Sequence, residues 1–151
     1  MGDGVRNIVL EICVLLLAAL FFYTGISKLI DAEQTYYSLK NQVFADWMVN
    51  LIYYSLPPME LITAVFLVIP PLRGLGIKLS ILFMTAFTLY IGIVMTGFFG
   101  RIPCSCGGVI SKLSWGAHLL FNIVFLIISI SAFFLVKKKR KTQNSHLLKI
   151  K

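Results

Sequence analysis

Two cysteines one residue apart, Cys104 and Cys106, lie in the polar stretch Arg101-Ile102-Pro103-Cys104-Ser105-Cys106-Gly107-Gly108. Residues two apart in a turn can meet the Cα separation of about 4.4–6.8 Å that a disulfide requires. The ring so closed is small and strained, and strained, exposed disulfides are the ones that exchange. Pro103 and Gly107-Gly108 let the backbone turn tightly and leave one sulfur open to attack. An apolar run begins at Trp115; the N-terminal dipole of a helix there, with Arg101 and Lys112, favours a thiolate. The pair reads as a thiol–disulfide exchange site in which Cys104 and Cys106 react. Two other readings stay open on the same residues. One is an inert disulfide that staples the segment, and the other a Cu(I) site with His118 as third ligand. Four-coordinate zinc lacks partners nearby.

Ionisable residues inside apolar runs are the next candidates, because charge in a low-dielectric setting persists only where it is paired or used. Lys28 and Glu60 fall at the same end of the first two runs and are expected to form an ion pair joining them. In a sharper reading, Lys28 also orients a quinone oxygen beside the cysteines. His118 and Asn122 are i and i+4 on the last run, so they share a helical face next to the cysteine stretch. His118 is a candidate base for a thiol or donor to a quinone carbonyl, with Asn122 beside it; an interfacial histidine is the plain alternative. Glu11 is expected to pair with Lys78, and Tyr23, Thr24 and Ser27 to satisfy one another or the backbone. Cys13 reads as a small core hydrophobe. Gly92 and Gly97 are expected to permit close helix approach.

The elements that must hold these groups are set by composition. The chain has 151 residues, 58% hydrophobic and 13% charged, and a mean hydropathy of +0.88. So little charge cannot cover that much apolar surface in water, so an integral membrane protein is expected, with the lipid bilayer as its surroundings. Four spans are expected, at about 8–30, 57–72, 75–99 and 115–136. The first is too long for a signal peptide's apolar core and reads as a retained span. The second, opened by Pro57-Pro58, is short for a bilayer, so either part of Leu51–Leu56 is embedded as well or the bilayer thins locally. Between the first two, Asp31 to Leu56 interleaves charges with Tyr36, Tyr37, Phe44, Trp47, Tyr53 and Tyr54, which suits one or two amphipathic helices at headgroup level. Pro70-Pro71-Leu72-Arg73-Gly74 reads as a tight turn, and Ser114 as the N-cap of the last helix. The fold class expected is therefore all-α: a four-helix transmembrane domain over residues 1–136 with an amphipathic helix between spans one and two. A basic tail, 137–151, follows and is expected to fray.

The net charge of +8 comes largely from that tail: seven of the 14 basic residues lie after Ala132. A basic cluster just past an apolar run is a topology anchor at anionic headgroups rather than a nucleic-acid surface. Four spans place both termini on one side, with Arg6, Arg73, Lys78 and the seven tail residues; Lys28, Lys40, Arg101 and Lys112 fall on the other. Both termini are thus expected in the cytoplasm and the Cys-x-Cys stretch in an oxidising exterior, the periplasm of a bacterium.

Three stretches carry a family resemblance: Thr24-Gly25-Ile26-Ser27-Lys28-Leu29, Pro57-Pro58-Met59-Glu60 and Pro103-Cys104-Ser105-Cys106-Gly107. Through them the chain, from about Ile8 to Val136, resembles the methylamine-utilisation MauE family within the wider DoxX-like group of four-span membrane proteins. More remotely it resembles the four-helix disulfide generators of the DsbB and vitamin K epoxide reductase type, which pass electrons to quinone. The resemblance implies a bacterial inner-membrane redox partner for a periplasmic thioredoxin-like protein or a disulfide-bonded client, with quinone as the one cofactor it suggests. It leaves a non-catalytic assembly or anchoring subunit as the rival role.

Overall fold

Inside a bilayer a backbone N–H or C=O finds no water, so an apolar run satisfies its own backbone by coiling. The computed structural model describes residues 3–98 and 114–149, of residue 3 and residues 140–149 the backbone alone. All regular structure among them is helical: α1 Asp3–Ile30, α2 Ala32–Lys40, α3 Asp46–Val68, α4 Arg73–Met95 and α5 Trp115–Lys149. Four stretches are long and apolar enough to cross a membrane, namely Gly4–Ile30, Asp46–Val68, Arg73–Met95 and Trp115–Lys139. The chain is a multi-pass membrane protein whose surroundings are the lipid bilayer.

The helices alternate in direction and close a ring, α1 against α3, α3 against α4, α4 against α5 and α5 against α1. Each turns large apolar side chains outward, among them Leu15, Phe22, Leu82, Leu89, Leu120 and Phe134, all exposed. In water such a coat would aggregate; in lipid it is the outer face a span needs. The core inside the ring runs through Leu10, Val14 and Leu17 of α1, Leu67 of α3, Ile77 of α4 and Ala132 of α5. Cys13 is half-buried against this cluster and behaves as a small apolar side chain.

Several boundaries differ from those expected. The helix anticipated from Pro57 begins at Asp46 and carries both prolines inside it. Its 23 residues rise about 34 Å, enough to cross the hydrocarbon without thinning it. Only one surface helix, α2, therefore separates the first two spans. α4 stops at Met95 rather than Phe99: Thr96 caps it, and Gly97 follows with φ +74°, a left-handed turn that favours glycine and ends helices. The helix of the fourth span, α5, is drawn past Val136 through the basic segment to Lys149. It starts where its cap predicts, because Ala117 N donates to Ser114 Oγ at 3.3 Å.

Close helix approach occurs at different glycines from those expected. Among the described residues a Cβ on Gly92 or Gly97 would meet nothing within 4 Å, whereas one on Gly76 would lie 2.7 Å from Leu67 N, in the backbone of α3. One on Gly25 would lie 2.9 Å from two side-chain carbons of Leu61 and 3.2 Å from the carbonyl oxygen of Pro57. Composition marks a glycine; only the direction it faces makes it a contact.

Candidate functional site

Lys28 lies in the last turn of α1, and the close approach at Gly25 brings that turn against α3. Glu60 lies one turn past Pro57 on α3, so the two charges face each other. Lys28 Nζ is 2.9 Å from both carboxylate oxygens of Glu60 and 3.3 Å from the carbonyl oxygen of Thr24. Glu60 is 1% exposed and the Lys28 side chain 23%. A carboxylate so covered persists as an ion only with its partner in place. The neighbouring hydroxyls spend their protons locally: Thr24 Oγ1 donates to Phe21 O and Ser27 Oγ to Thr24 O.

The pair borders a cavity of about 440 Å³ that also takes in His118 and Asn122 from α5. Its wall is mostly apolar, with Phe21 of α1, Leu56 of α3, Phe83 and Phe87 of α4 and Phe121 of α5. Four residues that charge and spacing single out, Lys28, Glu60, His118 and Asn122, thus stand around one space. His118 is half-buried, with its backbone N–H bonded to Ser114 O at 2.9 Å. Asn122 is 4% exposed, and its Nδ2 finds no hydrogen-bond partner among the described residues.

Thr35, Leu39 and Phe44 border the same cavity from α2 and the connection after it. Sequence reasoning placed that region on the surface and missed what fastens it. Tyr90 of α4 donates a 2.6 Å hydrogen bond to Gln42 Oε1, and Phe44 stacks on the Tyr90 ring at 5.0 Å between centroids. Gln42 is 1% exposed and also donates to Ser38 O at 3.3 Å. The only sequence signal was a glutamine among aromatics, too common a pattern to point at a residue 48 positions away.

Two site expectations need restating. Glu11 pairs with Arg73 rather than Lys78, Nη1 to Oε1 at 2.7 Å, while Arg73 Nε also reaches Leu67 O at 3.3 Å. Arg73 opens α4 beside the turn and its forked guanidinium serves both acceptors. Lys78, five residues on, is turned about 140° round the helix and is exposed. Cys104 and Cys106, with Arg101 and Lys112, lie outside the described residues, and the Cu(I) alternative goes with them. Among the described residues no three His, Cys, Asp or Glu side chains cluster as metal ligands.

No curated protein and no solved structure matches the chain. The family model described as methylamine utilisation protein MauE matches residues 6–135, which reach into all four spans and include the cysteine segment, and the chain belongs to that family.

Proposed function

We propose that this protein is a membrane thiol–disulfide oxidoreductase, or a redox relay, working through Cys104 and Cys106. The observation that carries the reading is the cavity. The helices flanking the cysteine segment, α4 ending at Met95 and α5 starting at Trp115, both border it, through Ile91 on one side and Trp115 and His118 on the other. The two helices that the cysteine segment joins in sequence thus share a chamber lined with an ion pair, an imidazole and a buried amide. Family membership and the Cys-x-Cys spacing agree with that assignment.

In the exchange, a thiolate of the partner attacks one sulfur of the Cys104–Cys106 bond, and the other cysteine leaves as a thiolate and takes a proton. The partner's second thiolate then cleaves the mixed disulfide. The partner departs oxidised, and Cys104 and Cys106 are left as two thiols; the reverse sequence uses the same atoms. A thioredoxin-like protein or a disulfide-bonded client on the outer, periplasmic side of a bacterial inner membrane is the partner this chemistry fits, with both termini in the cytoplasm. The likeness of the Lys28 and Glu60 motifs to DoxX-like proteins points the same way.

The chamber fits a quinone. Its apolar wall would take the ring and tail, and Asn122 Nδ2 is a buried donor with no acceptor among the described residues. Lys28 and His118 complete the polar side. When bound, a quinone supplies a two-electron, two-proton acceptor for the cysteine thiols. Lys28, fixed by Glu60, keeps positive charge at the chamber wall, and His118 is the group placed to pass a proton at an imidazole nitrogen.

Trapping tests the exchange. A Cys104→Ala or Cys106→Ala variant, isolated from cells after acid quenching, is expected to carry a mixed disulfide with a soluble protein. Should neither variant capture a partner while both keep full function, exchange is not what these cysteines do.

A further inference from the structure

Of the described residues that line the chamber, Ala86 of α4 alone is exposed. Its neighbours Phe83 and Met84 border the same space and are buried, as are Leu20 of α1 and Pro57 of α3. Facing the chamber therefore does not by itself expose a side chain. Helical phase gives the direction in which Ala86 opens. At about 100° per residue it falls between Gly76, which faces the α3 backbone, and Leu82 and Leu89, which face lipid. It stands about 20 Å along α4 from Arg73, inside a hydrocarbon core roughly 30 Å thick. At this edge of the bundle one methyl group stands between chamber and lipid. Two other edges are braced. Gly25 packs α1 against α3, where Lys28 also bonds Glu60, and Phe44 stacked on Tyr90 covers the side next to α2.

We propose that the chamber opens sideways into the bilayer past Ala86, between α3 and α4, and that its ligand sits with its ring inside and its isoprenoid tail passing out through this window. The inference rests on the reading of the chamber as a quinone site and adds how the ligand is seated. Volume supports it. About 440 Å³ lies toward the lower end of the roughly 300–1,000 Å³ of sites that enclose small molecules, room for a substituted ring and the start of a tail. The rest of a polyprenyl chain must lie elsewhere, and lipid receives it without exposing apolar surface to water. Alanine keeps the window open; a bulky side chain in its place would fill it.

The chain itself carries a reporter. Trp115 lines the chamber, whereas Trp47, the other tryptophan, is exposed. Full-length protein in lipid nanodiscs, with Trp47→Phe to isolate Trp115 and Cys104→Ser/Cys106→Ser to prevent electron transfer, is titrated with two benzoquinones of identical ring. One carries a long isoprenoid tail and the other none. Saturable quenching of Trp115 gives each affinity, expressed per mole of lipid. Ala86→Phe is expected to weaken the long-tailed quinone about tenfold, the scale on which an overfilled apolar site loses affinity, and to leave the tailless one nearly unchanged. Leu89→Phe, which puts a ring on the lipid face of the same helix, should change neither. Retained binding of the tailless quinone shows that Ala86→Phe is folded; if that variant does not fold, Ala86→Leu makes the same comparison. A long-tailed affinity that survives the substitution, equal losses for both ligands, or a matching loss in Leu89→Phe would overturn the window while leaving the chamber a quinone site. If neither ligand quenches Trp115 with alanine in place, the quinone reading falls and the inference with it.

Discussion

Around Leu17, Leu67, Ile77 and Ala132 the four long helices close on one another, and none of these side chains keeps any exposed surface. A few turns along the same helices, around Phe21, Glu60, Phe87 and Asn122, they stand apart over a cavity of about 440 Å³. At the closed end Gly76 lets α4 lie directly against the α3 backbone. Ser80 and Ser129, buried there, bond their own helices, at 2.9 Å to Gly76 O and 2.8 Å to Phe125 O, and the link from Arg73 across to Glu11 ends on a carboxylate that is 49% exposed. At the open end the polar groups reach across helices, as Lys28 does to Glu60 and Tyr90 to Gln42. One end is solid; the other is hollow, bridged by polar links and bordered by α2, and holds the candidate site. Substitutions should separate the two.

The largest effect is expected at the hollow end. Lys28→Met leaves the Glu60 carboxylate buried without its cation and should cost about 3–5 kcal/mol, read from thermal unfolding in detergent. Adding Glu60→Leu should recover most of that loss. A single variant as stable as the parent would mean that the pair holds nothing together. At the solid end, Gly76→Ala must push α4 away from the α3 backbone and should cost about 1–3 kcal/mol. Gly92→Ala, with open space around it among the described residues, should be neutral or mildly stabilising. Equal losses at the two glycines would contradict the packing described.

Smaller effects sharpen the contrast. Tyr90→Phe removes the hydroxyl that holds Gln42 and should cost about 1 kcal/mol. Its signature is local: hydrogen exchange should speed up in α2 and not in the buried half of α1. Glu11→Gln breaks an ion pair whose carboxylate is 49% exposed, and should change stability by less than about 1 kcal/mol. A loss as large as that of Lys28→Met would erase the distinction between the two pairs.

Much of this plan is legible in the chain. Apolar runs with a basic flank announce four spans, because lipid leaves the backbone no alternative to helix. Lys28 and Glu60 can be matched by sign and depth, since a lone charge in either place would be too costly. The start of α3 is hidden because Pro57-Pro58 looks like a first turn, whereas the helix simply runs through it. Arg73 displaces Lys78 as partner of Glu11 because helical phase and the reach of a guanidinium decide, not charge alone. The Gln42–Tyr90 link and the contacts at Gly25 and Gly76 are illegible for a shared reason. They depend on which faces meet across distant parts of the chain, and no local pattern records that.

The cysteines bear the central claim, and their accessibility tests it most directly. Intact cells are treated with a membrane-impermeant maleimide, with and without prior reduction by an impermeant phosphine, and Cys104, Cys106 and Cys13 are then mapped by mass spectrometry. The account predicts that Cys104 and Cys106 react strongly after reduction and weakly before it, and that Cys13 stays unlabelled throughout. Cysteines that remain unlabelled after reduction, or that label equally without it, would contradict it.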